Sequence, residues 1–470
     1  MAIAPAALAP ADEVLRLPPV AVEPARVRFP SVMFQDGEGS LDESSQNGDS
    51  QDGASRQSAP TQDQGDTSRT ESEHEIPFYF GYDDGLFVRP IDENETPYSL
   101  NLQGRLMLRH SAFSRDTDTW TDNAGVTREI RPLNAFEVER MRLILDGTML
   151  HPDVRYYIHF DADTDDNHTV ELYDASIAYD VHERLTLEAG KAKMPGSRQF
   201  LLSSFSTRLA DRPMATDFFR PDRTVGAWAI GELGERVHYH VMAGNGYVAD
   251  NLTFDQINSS IALAGTMYWD PVGDFGETIV DFDISPGPLW RLGHSFSYAS
   301  QSGLDAMGDP LEESRFVRLT GGTRLTDTGA LAPGVTVDAF DIYLYALDVS
   351  MKYRGWSANA EYYARWLQAI EGDGPLPHSN LYASGYFVEG GFFILPQRLG
   401  INARYSHVSG LFGEANEYAA GVNWYPTDSE RFIVTFDVTM LDGSPLDNDS
   451  SNIFVGMDGT LFRTQVEAVF

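Results

Sequence analysis

Hydrophobic and polar side chains alternate with a period of two through most of the chain. In residues 136–149, Met141 and Leu143 share one face, and Arg140 and Arg142 share the other. Successive side chains leave a β-strand on opposite faces, so this period predicts strands rather than helices. The breaks between neighbouring runs are mostly short and turn-like, which predicts an antiparallel meander.

The predicted strands are longer than those of most soluble β-proteins. They contain about 9–14 residues, whereas strands in globular domains usually contain about 5–6. One face is apolar with aromatic ends, and the other face carries charge. Because about 9–11 tilted residues cross the hydrocarbon layer of a membrane, this pattern is typical of a transmembrane β-barrel. Taken alone, this stretch leaves a large soluble β-protein open as the alternative.

Alternating runs recur to the end of the chain and set the size of the barrel. They predict strands at residues 98–110, 136–149, 154–163, 172–180, 185–193, 225–233, 237–245, 261–270, 289–300, 315–325, 335–353, 357–369, 382–395, 399–408, 417–425, 431–441 and 453–470. Short turns fall on one rim and long loops on the other, which is the polarity of outer-membrane barrels. The predicted fold is all-β: a transmembrane antiparallel up-and-down β-barrel of about 16 strands (16–18), wide enough for a water-filled channel.

A long interruption at residues 194–223 breaks this pattern. It lacks the period of two and combines several aromatic residues with Arg208, Arg212, Arg220 and Arg223. Loops this long inside a regular meander are usually functional or disordered, and the aromatic content favours a packed loop. In a barrel, such a loop packs by folding into the lumen, where it would narrow the channel and present guanidinium groups to it.

Composition excludes several classes of protein. The chain of 470 residues has no cysteine, which excludes a disulfide framework. None of its apolar runs approaches about 18 residues, which excludes helical membrane spans. The formal net charge of -36 argues against a nucleic-acid partner, because phosphates would repel it. The acidic clusters and the histidines lack the spacing of calcium loops or zinc sites, so neither a metal nor a cofactor is expected.

Three segments are distinguished along the chain. Residues 1–34 are predicted to be an extended N-terminal segment, either the remnant of a signal region or a plain mature N-terminus. Residues 35–75 are acidic and rich in Ser, Gln and Asp with almost no large apolar side chain, so this linker is predicted to be disordered. Residues 76–470 are assigned to the transmembrane barrel.

The chain ends on an aromatic residue. Phe470 completes an alternating strand whose apolar face also carries Phe462 and Val466. A terminal aromatic on such a strand resembles the signal by which bacterial barrel-assembly machinery recognises its substrates. It strengthens the prediction of a barrel in the outer membrane of a Gram-negative-type bacterium, in contact with lipids and lipopolysaccharide.

Several short motifs follow one another in an order that is typical of one family of membrane proteins. They are Gly81-Tyr82-Asp83-Asp84-Gly85, the strand through Gly190 and Lys193 to Pro195, the pair Ser203-Ser204, Phe219-Arg220-Pro221-Asp222-Arg223 before Val225-Gly226, Gly244-Asn245-Gly246, and residues 386–395 followed by 398–408. Together they resemble the phosphate-selective porin O/P family of Gram-negative outer membranes, over residues 76–470.

The resemblance implies a 16-stranded and usually trimeric barrel, with an inward loop and a basic lumen that selects anions. The residues that it places near the pore constriction are Lys191, Lys193, Ser203, Ser204, Arg220 and Arg223, to which the interrupting loop adds Arg208 and Arg212. The basic lumen wall would comprise Arg105, Arg109, Arg140, Arg142 and Arg155, with Asp161 on the same face. The planar fork of arginine donors suits phosphate and carboxylate oxygens, and a row of weak sites lets an anion enter and leave.

Two features of the sequence leave the selectivity open. Acidic side chains, among them Asp146, Asp174, Glu389 and Asp437, lie on the predicted lumen faces or at their ends. A lining of mixed or negative charge would make the channel weakly selective or cation-selective. Arginines and aspartates that alternate on a barrel wall also often pair across strands, which would hold the lumen rigid rather than bind solutes.

The sequence therefore predicts a porin and not an enzyme: an outer-membrane channel for passive diffusion of small hydrophilic solutes or ions, with anions such as phosphate as candidates. One alternative is a barrel-type outer-membrane hydrolase, which needs a nucleophile, a base and an orienting group together. Ser and His are present, but no spacing ties them together. The other alternative is a structural or adhesive envelope protein, with the acidic segment 35–75 as its binding element.

Overall fold

Sixteen long strands close into an antiparallel barrel in the computed structural model of the protein. The structure describes residues 78–82, 85–92, 96–162, 164, 170–248, 252–253, 255–305 and 307–470. The predicted N-terminal segment 1–34, the predicted linker 35–75 and the Asp83-Asp84 part of the opening motif lie outside these residues. The closed ring of strands confirms the predicted fold class.

Twenty strands are formed by the described residues, and each is antiparallel to its neighbours. In chain order they are β1 (Phe78–Tyr82), β2 (Leu86–Pro90), β3 (Leu100–Arg115), β4 (Thr119–Thr121), β5 (Thr127–Glu129), β6 (Leu133–Met149), β7 (His151–Ala162), β8 (Val170–His182), β9 (Leu185–Lys193), β10 (Arg223–Glu232), β11 (Val237–Gly244), β12 (Ala262–Val272), β13 (Leu289–Ser302), β14 (Val337–Tyr353), β15 (Trp356–Gly372), β16 (Leu381–Leu395), β17 (Leu399–Gly410), β18 (Gly413–Trp424), β19 (Phe432–Asp442) and β20 (Gly459–Val469). The barrel consists of β3 and β6 to β20, and each barrel strand pairs with the next in the sequence. A hairpin of β1 and β2 continues one edge of β3, and β4 and β5 form a separate hairpin in the loop between β3 and β6.

Helices among the described residues are short and lie in the loops. They are α1 (Arg198–Leu201), α2 (Met214–Phe219) and three 3-10 turns at Ser204–Ser206, Glu312–Ser314 and Asp449–Ser451. Within the described ranges, no helix has the length and apolar character needed to cross a membrane.

The first and last barrel strands close the ring. β20 pairs with β3 along its whole length, from Gly459 to Val469. The backbone of Phe470 then exchanges two hydrogen bonds with that of Gly104, at 2.6 and 2.8 Å. A Cβ at position 104 would stand 2.5 Å from an edge carbon of the Phe470 ring, so a larger residue there would displace that ring.

The two faces of the barrel wall differ as the alternation predicts. On β6, Met141 and Leu143 are exposed on the outer face, whereas Arg140 and Arg142 are buried in the lumen. Aromatic residues near strand ends, such as Trp424, are also exposed outside. An apolar band of this kind with aromatic edges matches the lipid-facing surface of an outer-membrane barrel.

Two connections do not follow the prediction that one rim of the barrel carries short turns and the other carries long loops. The connection 273–288 between β12 and β13 lies on the rim of short turns, yet it is long and folds inward, with Phe275 and Ile279 buried. The connection between β17 and β18 lies on the rim of long loops, yet it comprises only Leu411 and Phe412. The barrel interior is therefore filled from both ends.

The predicted strand at residues 315–325 is wrong. This stretch belongs to the loop 303–336 between β13 and β14, where an isolated bridge joins Arg318 and Arg324. Val317 is buried in a cluster with side chains of other loops and of the barrel wall. Its apolar residues alternate with polar ones because the loop packs on itself and on the wall, and not because the backbone is paired in a sheet.

Replacement of Gly104 by valine is expected to weaken the closing seam. The new side chain would displace the Phe470 ring from its place over the seam, and this change is expected to cost about 1 kcal/mol, the low end for overpacking, because the ring is exposed. The free energy of unfolding in detergent micelles, measured with urea, should fall accordingly. Gly287→Val is the control, because no neighbouring atom lies within 4 Å of a Cβ built there. Equal stability of Gly104→Val and the wild type would contradict this description of the seam.

Candidate functional site

Residues 194–222 leave β9, fold into the lumen and return to β10 as a series of short turns. Ser197 Oγ accepts a hydrogen bond from a backbone N–H in the first turn of α1, and Ser203 Oγ accepts one in the 3-10 turn that follows. Such caps satisfy backbone donors that the start of a helix leaves unpaired. We call this segment the inward loop.

Acidic side chains of the barrel wall hold the backbone of the inward loop. Glu361 on β15 accepts from two consecutive N–H groups of α1, at 3.1 and 3.0 Å. Glu417 on β18 accepts from Met214 N at 2.6 Å, and Asp437 on β19 accepts from Ala210 N at 2.8 Å. Buried carboxylates and buried N–H groups are each costly when unpaired, so the wall and the loop stabilise one another.

Basic side chains bind the carbonyl groups of the same loop. Arg109 donates to Ala210 O at 3.0 Å, and Arg404 donates to Asp211 O at 2.7 Å. Lys193 Nζ donates to three carbonyls at the end of α1, at 2.8, 3.3 and 2.8 Å. Apart from Lys193 on β9, these partners lie on β15 to β20 and β3, so the inward loop is packed against that side of the lumen.

A cavity of about 380 Å³ remains between the inward loop and the opposite wall, which is formed by β6 to β11. We call it the basic chamber, because seven basic and five acidic side chains line it. Nine of the residues predicted for the constriction and the wall line this chamber: Arg105, Arg140, Arg142, Lys193, Ser203, Ser204, Arg212, Arg220 and Arg223. The structure thus brings most of the predicted set together around one opening.

Two guanidinium groups of the wall hold the serine pair of the inward loop. Arg105 Nη1 donates to Ser203 Oγ at 3.0 Å, and Arg142 Nη1 donates to Ser204 Oγ at 2.7 Å. Arg142 also binds the Asp161 carboxylate through Nε and Nη2, at 3.0 and 2.8 Å. Arg105 has no carboxylate partner among the described residues, so its positive charge is not neutralised locally.

Arg220 and Arg223 each form ion pairs with neighbouring carboxylates. Arg220 binds Asp217 and Asp222, and Arg223 Nε binds Asp174 at 2.8 Å. Burial acts to raise the pKa of Asp222, but Arg220 and Arg223 outweigh it and hold that pKa below its usual value. This carboxylate is therefore ionised, and these two arginines contribute paired rather than free charge.

The guanidinium group of Arg212 is hydrogen-bonded to a backbone carbonyl and lies near an aromatic ring. Its Nη2 donates to Leu202 O at 2.9 Å, and its guanidinium lies 5.7 Å from the centre of the Phe200 ring. Burial and the neighbouring charge of Arg220 lower the pKa of Arg212 to about 10. The group remains charged near neutral pH and adds to the positive potential of the chamber.

Five predicted residues do not line the basic chamber: Arg109, Arg155, Asp161, Lys191 and Arg208. Arg208 is buried on the packed side of the lumen, where it donates to Ser357 Oγ at 2.9 Å. Arg155 forms an exposed ion pair with Asp180 at 2.7 Å. Lys191 donates to a backbone carbonyl of β8. These side chains hold parts of the wall and the loop together.

Several residues of the chamber were missed in the sequence. His159 and Tyr157 line it. Both lie on the polar face of the predicted strand 154–163, and this position could have indicated that they face the lumen. Tyr173 also lines it, with the guanidinium carbons of Arg142 and Arg223 at 4.5 and 3.5 Å from its ring centre. Its position follows from a β-bulge in the pairing of β7 with β8, which a strict period of two does not reveal.

A second cavity, of about 640 Å³, lies nearer the rim of short turns. It shares Leu201, Ser203 and His240 with the basic chamber, so these residues stand between the two. Three arginines and four acidic residues line it, and two of the acids come from the inward-folded segment 273–288. The second cavity therefore lacks the excess of positive charge that the basic chamber has.

The described residues do not gather into a metal site, since no three His, Asp or Glu side chains among them converge as ligands. The polar groups of the basic chamber include guanidinium, ammonium and hydroxyl donors. Such donors suit the oxygens of an anion.

Comparison with known proteins agrees with this architecture. Residues 120–276 match the sequence model of the family described as phosphate-selective porin O and P, which confirms the resemblance found in the sequence. No curated protein matches the chain. Among solved structures, the anion-selective porin from Comamonas acidovorans is similar with a TM-score of 0.50 and 12% identity, covering 79% of this chain and 99% of that chain. At that identity the likeness shows the fold alone.

Two further solved structures are similar at lower scores. The outer membrane channel DcaP of Acinetobacter baumannii gives a TM-score of 0.47 at 12% identity, over 79% of this chain and 97% of that chain. OprB of Pseudomonas putida gives a TM-score of 0.46 at 8% identity, over 79% of this chain and 94% of that chain.

Replacement of Asp437 by alanine is expected to release the inward loop. The change removes the acceptor of Ala210 N and the partner of Arg463, which binds Asp437 at 3.0 Å, and breaking a buried pair costs about 3–5 kcal/mol. Single-channel conductance and current noise should both rise, because the loop no longer stays on one wall. Asp428→Ala removes the exposed partner of Arg398 and is the control, with unchanged conductance. Wild-type conductance in Asp437→Ala would argue against this anchoring role.

Proposed function

We propose that this outer-membrane porin, which matches the phosphate-selective porin O and P family over residues 120–276, lets small oxyanions diffuse passively through the basic chamber. The observation that carries the proposal is the excess of basic over acidic side chains in this chamber, with the Arg105 charge left unpaired. An anion that leaves bulk water there exchanges hydration for guanidinium and hydroxyl donors.

Passive diffusion needs sites that are favourable to enter and easy to leave. The donors of the basic chamber are already engaged in part: Ser203 and Ser204 each accept one arginine bond, and Arg223 carries Asp174. Each donor group can therefore offer an anion only part of its hydrogen-bonding capacity. A series of such partial sites supports conduction rather than tight capture.

Four of the acidic residues on the predicted lumen faces no longer argue for cation selectivity once their partners are known. Glu389 binds Arg404 at 2.8 Å, and Asp437 binds Arg463, both on the packed side of the lumen. Asp174 is held by Arg223, and Asp161 by Arg142. These carboxylates are therefore not available to attract cations along the passage. The match to a family described as phosphate-selective makes phosphate a candidate among the oxyanions.

A hydrolase is the weaker candidate. A serine nucleophile needs a base within hydrogen-bonding reach. Within the described part of the chain, the hydroxyl groups of Ser203 and Ser204 take their side-chain hydrogen bonds from arginines and not from a histidine. An arginine donor does not withdraw a proton, so this pair serves the channel better than it would serve catalysis.

Replacement of Arg105 by glutamate is expected to reduce anion selectivity. The change puts a negative charge beside Ser203, and two unit charges about 4 Å apart interact by about 1 kcal/mol even in bulk water, which corresponds to about a fivefold change in permeability ratio. The reversal potential under a potassium chloride gradient measures this ratio. Arg155→Glu makes the same charge change at an exposed pair on the rim and should leave the ratio near that of the wild type. An unchanged reversal potential in Arg105→Glu, or a cation-selective wild type, would refute the proposal.

The family resemblance further supports a homotrimer. The purified porin, kept unheated in detergent, should then migrate with three times the 52.2 kDa mass of the chain. It should migrate as a single chain after boiling. A monomeric mass by light scattering with the detergent contribution subtracted would count against the trimer.

A further inference from the structure

A row of uncharged side chains crosses the barrel wall between the two cavities. Residues that pair directly across antiparallel strands lie at one level of the sheet. His240 on β11 pairs with Ile230 on β10 and with Thr266 on β12, and Ile230 pairs in turn with Thr186 on β9. All four side chains line the second cavity, and His240 lines the basic chamber as well. This row therefore marks the level at which one cavity ends and the other begins.

Charged side chains lie above and below this row on the same strands. Two residues nearer the long loops, Glu188 pairs with Trp228, and both line the basic chamber. Two residues nearer the short turns, Glu232 pairs with His238, and both line the second cavity. The row itself presents only hydroxyl, aliphatic and imidazole groups, so at this level the wall strands β9 to β12 contribute no carboxylate or guanidinium group.

The inward loop faces the row with Leu201 and Ser203, which also line both cavities. Both residues are held in place: Lys193 Nζ donates to Leu201 O at 3.3 Å, and Arg105 donates to Ser203 Oγ at 3.0 Å. We call Leu201, Ser203 and His240 the neck. Because the open space divides into two cavities here, the neck is narrower than either of them.

His240 is the largest side chain of the wall row and the least constrained. Thr186 and Thr266 are hydrogen-bonded to side chains of the wall, Asp180 and Ser295. The His240 ring, in contrast, makes no hydrogen bond within the described ranges, and its nitrogens are not enclosed. The ring therefore faces the opening, and the size of the side chain at position 240 sets the width of the neck.

We infer that the neck sets the size limit of the porin, whereas the basic chamber sets its charge preference, so that the two kinds of selection occur at separate levels of one passage. Compact anions pass His240, and anions of the same charge but larger cross-section are retarded there. The inference rests on the proposed anion channel and adds the residue that limits the size of the anion.

The permeability of gluconate relative to chloride measures this size limit, because the two anions carry the same charge. The porin is placed in a planar bilayer at neutral pH, with chloride on one side and gluconate on the other, and the reversal potential gives the ratio. His240→Ala should raise the ratio about threefold, which corresponds to one RT of barrier. Its preference for anions over cations, measured under a potassium chloride gradient, should stay that of the wild type, because the basic chamber keeps all its charged groups.

Two further variants at position 240 distinguish size from chemistry. His240→Trp enlarges the side chain and should lower the ratio. His240→Gln replaces the imidazole by an uncharged side chain of similar size and should keep the ratio near that of the wild type. Faster migration of the unheated than of the boiled protein in detergent gels shows that each barrel is folded.

His238→Ala is the matched control. It removes the same side chain two positions along the same strand, where that side chain lines the second cavity and not the neck. The narrowest part of a passage limits the flow through it, so the ratio should rise less in His238→Ala than in His240→Ala.

Three results would overturn the inference: a wild-type ratio in both His240→Ala and His240→Trp, a ratio in His240→Gln that equals that of His240→Ala, or a rise in His238→Ala as large as in His240→Ala. A wild type without anion selectivity under the potassium chloride gradient would reject the proposed function itself. An anion-selective wild type whose ratio does not respond to position 240 would leave the proposed function standing and reject only the role of the neck.

Discussion

A polypeptide loop that enters the interior of a barrel must find partners there for its own N–H and C=O groups, because unpaired backbone groups are costly away from water. In this porin, side chains of the wall supply them. Glu361, Glu417 and Asp437 accept from loop N–H groups, and Arg109 and Arg404 donate to loop carbonyls. The position of the inward loop, and with it the location of the basic chamber, depends on these bonds.

Because many ionisable side chains serve to hold the loop, the net charge of the chain differs from the charge of the side chains that line the passage. Strands β15 to β20 and β3 supply most of the ionisable side chains that hold the loop backbone, whereas strands β6 to β11 form the wall of the open chamber and hold the loop through Arg142 and Lys193. The chain is strongly acidic, yet the chamber carries more basic than acidic side chains. Net charge therefore describes the whole protein and predicts little about the lining of its channel.

The period of two was enough to predict the barrel, because one face of each strand must meet lipid and the other must meet water or the loop. It placed Arg140 and Arg142 in the lumen and Met141 outside. It did not distinguish the arginines that anchor from those that face the opening. Arg208 and Arg212 lie only four positions apart in the same loop, and Arg208 is engaged by Ser357, which is 149 positions away. Such partners are set by tertiary structure.

The remaining errors have the same origin. Residues 315–325 alternate like a strand, but they pack into a loop cluster whose other members are distant in the sequence. The inward fold of residues 273–288 depends in part on Lys352, which donates to Phe275 O at 3.0 Å. Tyr173 reaches the chamber because of a bulge in the pairing of β7 with β8. In each case, the deciding contact lies outside the local window from which a pattern is read.

The inward loop precedes most of its anchors along the chain, and this imposes an order on biogenesis. The loop ends at residue 222, whereas Glu361, Arg404, Glu417 and Asp437 arrive only with the later strands. Contacts between segments so far apart in sequence form late, since the intervening chain must first lose its freedom. A nascent barrel that lacks those strands holds a loop whose amides are still hydrated. The pore therefore reaches its final diameter only when the last strands have been added to the barrel.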